Sequence, residues 1–295
     1  MSRKLAVMLV ASVISPSLAL ADGAVLRAQD LGNAQSHIAT LVAAARSRDA
    51  ASFDAIQQLN PQRPEYYKRS RSQNPGIAAF AFRRLGPTAR FALVDLAVFH
   101  APSHDGLDDR AWQAMQAGLL DAIGVAADPE LAPVLRVTFE RSANPALQSV
   151  SAVGLGRLGA SEVALLTAHA RPTDARYFAA LRGLGASHQP TATATLAALL
   201  DAATTEQEAA EIANALAEAG SAWVWETGKL GSTSDESAVR TQAAEALVRN
   251  YGRFANEAVQ PMEAAVVRVG HKDTRAMISR APASARMQHL STLLR

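Results

Sequence analysis

Large apolar residues recur at helical spacing along most of this chain, and a glycine closes each group. The unit is a small or apolar residue, a large apolar one, two further positions, another apolar residue, then glycine. It reads Ala81, Phe82, Leu85, Gly86, and returns as Leu119, Leu120, Ile123, Gly124 and as Gly154, Leu155, Leu158, Gly159. Two more copies are Ala180, Leu181, Leu184, Gly185 and Ala215, Leu216, Ala219, Gly220. A sixth, Ala246, Leu247, Tyr251, Gly252, is stretched by one residue. The closing glycines lie 38, 35, 26, 35 and 32 residues apart, distances that suit two short helices plus turns. The pattern predicts an all-α fold: an α-solenoid, a superhelix of stacked helix pairs, over residues 77–295. The 26-residue step predicts a shortened first helix in the repeat ending at Gly185. The stretch Ala264 to Gly270 repeats the rhythm once more, and Met287, Leu290, Leu293 and Leu294 form one apolar side of the chain end.

Positions three and four apart share a helix face, so the two large residues of each copy form a buried stripe. The small residue beside them admits a neighbouring helix. The glycine reads as the left-handed residue that ends a helix. Start signals follow: Asp128-Pro129-Glu130, Ser161-Glu162 and, strongest, Asn144-Pro145.

The chain opens with Arg3 and Lys4, an apolar run from Leu5 to Ile14, a break at Pro16 and the sequence Ala19-Leu20-Ala21. These are the parts of a secretory signal in order, so residues 1–21 are expected to be removed after Ala21 and the protein to be periplasmic or secreted. Residues 22–59 carry Leu26, Leu31, Ile38, Leu41 and Val42 at helical spacing and predict an N-terminal helical cap. Residues 60–76 hold three prolines and no helical period, which predicts a linker.

Removing the leader takes two basic residues and no acid, and leaves 27 of each sign. A neutral chain is poorly suited to nucleic acid, where phosphate neutralisation drives binding, so that partner is excluded. Cysteine is absent, which removes disulfides, thiolate nucleophiles and zinc–cysteine sites. No later run is long enough for a membrane span. Aromatics are only 5% and alanine is abundant, which favours close-packed helices over sheets.

Two segments resemble HEAT-like repeats of the short variety first associated with phycobilisome lyases. One is Ser237 to Gly252, with Val239, Arg240, Ala243, Ala244, Ala246 and Leu247 on the family pattern. The other is Asn144 to Gly159, with Leu147, Ala152, Leu155, Gly156, Leu158 and Gly159 on it and Gln148 in place of the arginine. The resemblance implies a right-handed superhelix used as a binding surface. It implies no activity and no cofactor.

His100, His104, Asp105, Asp108 and Asp109 crowd one stretch. Histidine and carboxylate are metal-ligand types, so His100, His104 and Asp105 are candidate ligands of an alternative, metal-dependent envelope enzyme. The competing reading is a capping loop before a helix that starts near Arg110. Trp223 and Trp225 are candidate partner contacts, with one of the two expected in the core. Tyr66, Tyr67, Arg69 and Arg71 are further candidates, for a partner or for an anionic envelope surface. Residues 183–239 hold eight acids against only Lys229, whereas Arg63, Lys68, Arg69, Arg71, Arg83, Arg84 and Arg90 face only Glu65. Solvated helix faces or electrostatic partner choice would both produce this segregation.

None of the hydrolase, metalloprotease, phosphate-loop or dinucleotide motifs occurs. The expectation is therefore a non-catalytic scaffold that binds an unidentified protein or peptide through its concave surface. Because the repeat residues make the shape, function is expected where the rhythm breaks: Asn60–Gly76, His100–Asp109 and Ser221–Asp235.

Overall fold

Polar side chains start the helices where the sequence signals stand. The Asp108 carboxylate accepts from the Ala111 amide at 2.7 Å, Asp128 from Glu130 at 3.0 Å and Asn144 from Ala146 at 2.9 Å. Each satisfies an amide that a helix N-terminus leaves without a partner.

The computed structural model describes residues 22–59, 77–104, 106–228 and 230–294. The expected leader and linker lie outside them. Among the described residues the fold is all-helical and contains no strand, only an isolated bridge between Asp22 and Arg27. The first half comprises α1 (Gln35–Arg48), α2 (Ala50–Gln58), α3 (Ile77–Arg83), α4 (Arg90–Val94), α5 (Asp109–Val125), α6 (Ala132–Arg141), α7 (Pro145–Arg157) and α8 (Ala160–His169). The second half comprises α9 (Tyr177–Ala186), α10 (Pro190–Ala202), α11 (Glu206–Ala219), α12 (Ala222–Gly228), α13 (Thr233–Tyr251), α14 (Val259–Val269), α15 (Thr274–Arg280) and α16 (Ala285–Leu293).

Helices two apart in sequence touch. α3 packs on α5, α5 on α7, α7 on α9, α9 on α11 and α11 on α14, which makes a continuous row. A second row runs from α8 to α10, α13 and α15, and the two rows meet through pairs such as α8 with α9 and α10 with α11. Between them lies one apolar cluster that reaches from Ala24 to Leu290 and takes in Ile38 and Val42 of α1. The N-terminal helices therefore share the core of the rest.

Three details differ from the sequence reading. The repeat ending at Gly185 is short for two reasons: α8 follows Gly159 directly, without a counterpart of the 3-10 turn Pro129–Leu131 that leads into α6, and α9 has ten residues against thirteen in α7. The sixth copy, Ala246 to Gly252, lies in α13 of the second row, and Ala264 to Gly270 continues the first row at the end of α14. The insertion of α12 between α11 and α13 causes this displacement. The third concerns the glycines. Gly86, Gly159 and Gly270 take positive φ as expected of helix stops, but Gly124 and Gly185 lie inside α5 and α9. The left-handed positions after those helices belong to Ala127 (φ 48°) and His188 (φ 51°).

The helical glycines serve close approach instead. A Cβ on Gly124 would stand 2.7 Å from the Gly154 Cα, and one on Gly185 would stand 2.6 Å from the Ala215 carbonyl oxygen. A Cβ on Gly156 would collide with the Gly183 carbonyl oxygen. Backbone thus meets backbone along the first row.

Gly156→Ala is expected to destabilise the fold by roughly 1–3 kcal/mol, the range for overpacking a tight interior. Gly252→Ala, where nothing lies within 4 Å of the added methyl, is expected to shift stability by less than about 1 kcal/mol. Denaturant unfolding of both variants checks the contrast, and equal losses would show that repeat position, not contact, decides the cost.

Candidate functional site

The stretch from His100 to Asp109 follows a wide helical turn. α4 runs on through residues 95–99 with π-type bonding, which frees backbone carbonyls for other partners. The N-terminal segment takes them: Ala24 donates to the Leu96 carbonyl at 2.9 Å, and Val25 and Leu26 donate to Ala97 at 2.9 and 3.0 Å. Gln116 of α5 donates to the Ala24 carbonyl at 2.5 Å and closes the knot.

Asp95 is buried in this turn. One carboxylate oxygen meets His100 Nδ1 at 2.8 Å, and the other accepts from Arg46 of α1 at 2.5 Å. A buried charge requires such partners. The arrangement fixes the His100 ring and ties α1 to the end of α4. His104 does not join it; its ring stands edge-on to Trp112 with centroids 4.7 Å apart. Asp108 caps α5 and Asp109 sits in its first turn, as the capping reading expects. Asp105 lies outside the described residues. Among the described residues no group of three His, Asp or Glu side chains is placed to hold a metal.

Sequence reasoning missed Asp95 and Arg46. The signal was present: Asp95 is the sole charge in the nine-residue apolar run from Phe91 to Phe99.

The two tryptophans separate. Trp225 is buried, with Nε1 donating to the Ala219 carbonyl at 2.8 Å, so it is an interior residue and not a partner contact. His188 Nδ1 meets the same carbonyl at 3.1 Å, and its ring stands edge-on to Trp225. Burial holds the His188 imidazole below the ordinary histidine range, partly opposed by that hydrogen bond and by Glu218, while Arg157 and Arg268 add to the depression. Trp223, two residues before Trp225, is 71% exposed. Tyr66, Tyr67, Arg69 and Arg71 lie outside the described residues.

Half of the eight acids pair with arginines, three of them between helices and Glu236 within α13. Within the acidic region, Glu211 binds Arg182, Glu218 binds Arg268, Asp201 binds Arg249 and Glu236 binds Arg240. Glu206 accepts from the Ala255 and Ala258 amides at 2.7 and 3.0 Å and so caps the approach to α14. Each arginine comes from outside residues 183–239. Of the basic group, Arg83 shares Asp121 with Arg157 and Arg90 binds Asp128, while Arg84 is exposed and Arg63, Lys68, Arg69 and Arg71 lie outside the described residues.

Several of these pairs cross the first row. Arg83, Asp121 and Arg157 link α3, α5 and α7; Arg182 joins Ser149 of α7 to Glu211 of α11; Glu218 and Arg268 join α11 to α14. Beside them stand exposed apolar side chains: Phe80 on α3, Val125 on α5, Phe178 on α9 and Val267 on α14. Trp223 sits on α12, which packs against α14, and Leu293 on α16, which also packs against α14. Of the large exposed apolar residues described, only Leu230 lies in a turn. Sequence reasoning did not single out Phe80, Val125, Phe178 or Val267, because an exposed apolar residue and a core one look alike in an Ala/Leu-rich helix.

His188 carries a pH prediction. Above its ordinary pKa of 6.5 it is neutral in both states and contributes no pH dependence. As pH falls below 6.5, the unfolded chain takes up a proton that the folded chain refuses, so stability falls until the depressed folded pKa is reached. The slope is at most about 1.4 kcal/mol per pH unit. Asparagine tolerates the left-handed backbone and keeps an N–H for Ala219. His188→Asn should therefore lose less stability than the parent between pH about 7 and about 5. Urea titrations at both pH values measure it, and identical losses would remove His188 as the cause.

No family model and no curated protein matches this chain.

Proposed function

We propose that this chain is an exported HEAT-like α-solenoid that holds a protein or peptide partner against its glycine-packed row. Contacts that skip a helix, as from α3 through α5, α7 and α9 to α11, are the packing that stacked helix pairs produce. Glycine and alanine draw the first row together, and on this reading that close-packed side is the concave wall.

The observation that carries the reading is where the exposed apolar side chains stand. Phe80, Val125, Phe178 and Val267 all belong to the first row. A monomer in water gains nothing from them, whereas a partner that covers them removes apolar surface from solvent at about 25 cal/mol per Å². The inter-helix ion pairs around them are already matched and hold the face rigid, which lowers the ordering cost of association.

A photo-crosslinking amino acid at Phe178 or Val267 is expected to capture one discrete partner from the source organism's envelope fraction. The same group at Ala194, exposed on α10 of the second row, is expected to capture none. Phe178→Glu should abolish capture at Val267. Equal labelling from both rows would overturn the assignment of the face.

A further inference from the structure

The turn between α3 and α4 and the C-terminal end of α5 enclose a cleft of about 160 Å³. It is lined by the apolar side chains of Phe82, Leu93, Ala122 and Val125 together with Arg83 and Arg90. Small-molecule sites run from about 300 to 1,000 Å³, so this one is sized for a single side chain.

The two arginines are held in place from behind. Arg83 donates through Nε to Asp121 at 2.5 Å and lies over the Phe80 ring at 5.8 Å. Arg90 donates through Nε to Asp128 at 2.5 Å and through Nη1 to the Pro87 carbonyl at 3.0 Å, and lies over Phe91 at 4.8 Å. A guanidinium has five N–H donors, so these bonds leave Arg90 with donors to spare. The local charge is positive. Asp121 is shared between Arg83 and Arg157, Asp128 matches Arg90, and Asp49, which also feels Arg90, is paired with Arg48. Four guanidiniums therefore face three carboxylates, and Arg84 adds an exposed cation at the same end of α3.

A cleft of this size, lined by apolar side chains and two arginines, selects a ligand that has an apolar group and an anion close together. An aspartate or glutamate side chain lacks the apolar part, and a phosphate lacks it too. The last residue of a polypeptide has both, because its α-carboxylate is bonded to the Cα that bears its side chain. We propose that this cleft captures the C-terminal residue of a partner chain, with an apolar side chain against Phe82, Leu93 and Val125 and the carboxylate on Arg83 and Arg90. The inference deepens the binding function proposed above, since Arg83 and Val125 belong to the first row, and rests on that reading for its biological setting only. A free apolar amino acid shares the chemistry, but its ammonium group would meet the same two arginines.

The test is an amide NMR titration of the isotopically labelled protein with N-acetyl-Ala-Ala-Leu as the free acid, with its C-terminal amide and with free leucine. The free acid is expected to give saturable shifts at Arg83, Gly86, Val125 and Ala126, and the amide and leucine to bind about tenfold more weakly or not at all. Arg90→Gln should weaken the free acid by a similar factor. Val125→Trp, at a position already exposed, places bulk in the cleft while retaining both arginines and should abolish the shifts. Equal binding of acid and amide, tighter binding of free leucine, or shifts that survive Val125→Trp would each overturn the proposal. Because the probes are synthetic, their failure leaves the crosslinking contrast between Phe178 and Ala194 intact and the two readings separately decided.

Discussion

The first row depends on backbone touching backbone. Gly124 against Gly154, Gly156 against Gly183 and Gly185 against Ala215 leave no room for a Cβ. Dispersion falls steeply with distance, so a contact this close brings two helices into register along their length and not at a single side chain. That constraint fixes the separation of α5, α7, α9 and α11, and the second row must then fit whatever width remains. Phe139, Leu166, Leu196 and Tyr251, all buried, fill that width. The absence of cysteine makes the constraint more important, because no covalent bridge can substitute for it.

Close backbone contact sets the separation, and the ion pairs reinforce the register. A slide by one turn would put a residue with a Cβ where only glycine fits. Arg182 can reach both Ser149 and Glu211 only when α7, α9 and α11 stand in one alignment, and Asp121 can serve both Arg83 and Arg157 only when α3, α5 and α7 do. Surface pairs contribute little to stability, roughly 0–1 kcal/mol each, yet mismatched charges would penalise the slipped states. This explains why acids crowd one region of sequence and their arginines flank it. In the acidic region the segregation is in part a wiring pattern between helices.

The all-helical character and the caps were legible in the sequence because they depend on neighbours three or four residues away. Asp108, Asp128 and Asn144 needed only their own turns to be read. The role of the glycines was not legible. A glycine that ends a helix and one that admits a neighbour both follow a leucine, and only tertiary contact separates Gly159 at φ 83° from Gly185 within α9. The displacement at α13 was hidden for a related reason: α12 interrupts the alternation, and the repeat of letters at Gly252 persists although the helix has changed rows. Of the site, the exposure of Trp223 and burial of Trp225 followed the expectation that one of them is core, whereas Asp95 needed Arg46, 49 residues away, before its burial made sense.

The same logic relocates function. If the repeat residues only made shape, binding would have to reside in the interruptions. The interruptions described are largely occupied internally: His100 is bound to Asp95, His104 faces Trp112 and Trp225 is bonded to Ala219. Besides Trp223, exposed apolar groups include Phe80, Val125, Phe178 and Val267, each within a helix of the first row and one or two positions from a repeat residue. A helix has several faces. The glycine face meets the next helix and the leucine face meets the core, so the remaining face of each copy meets solvent. Repetition brings those remaining faces into line. A surface that draws on four helices can be altered one side chain at a time without disturbing the packing beneath, so shape and recognition share the same helices here instead of dividing the chain between them.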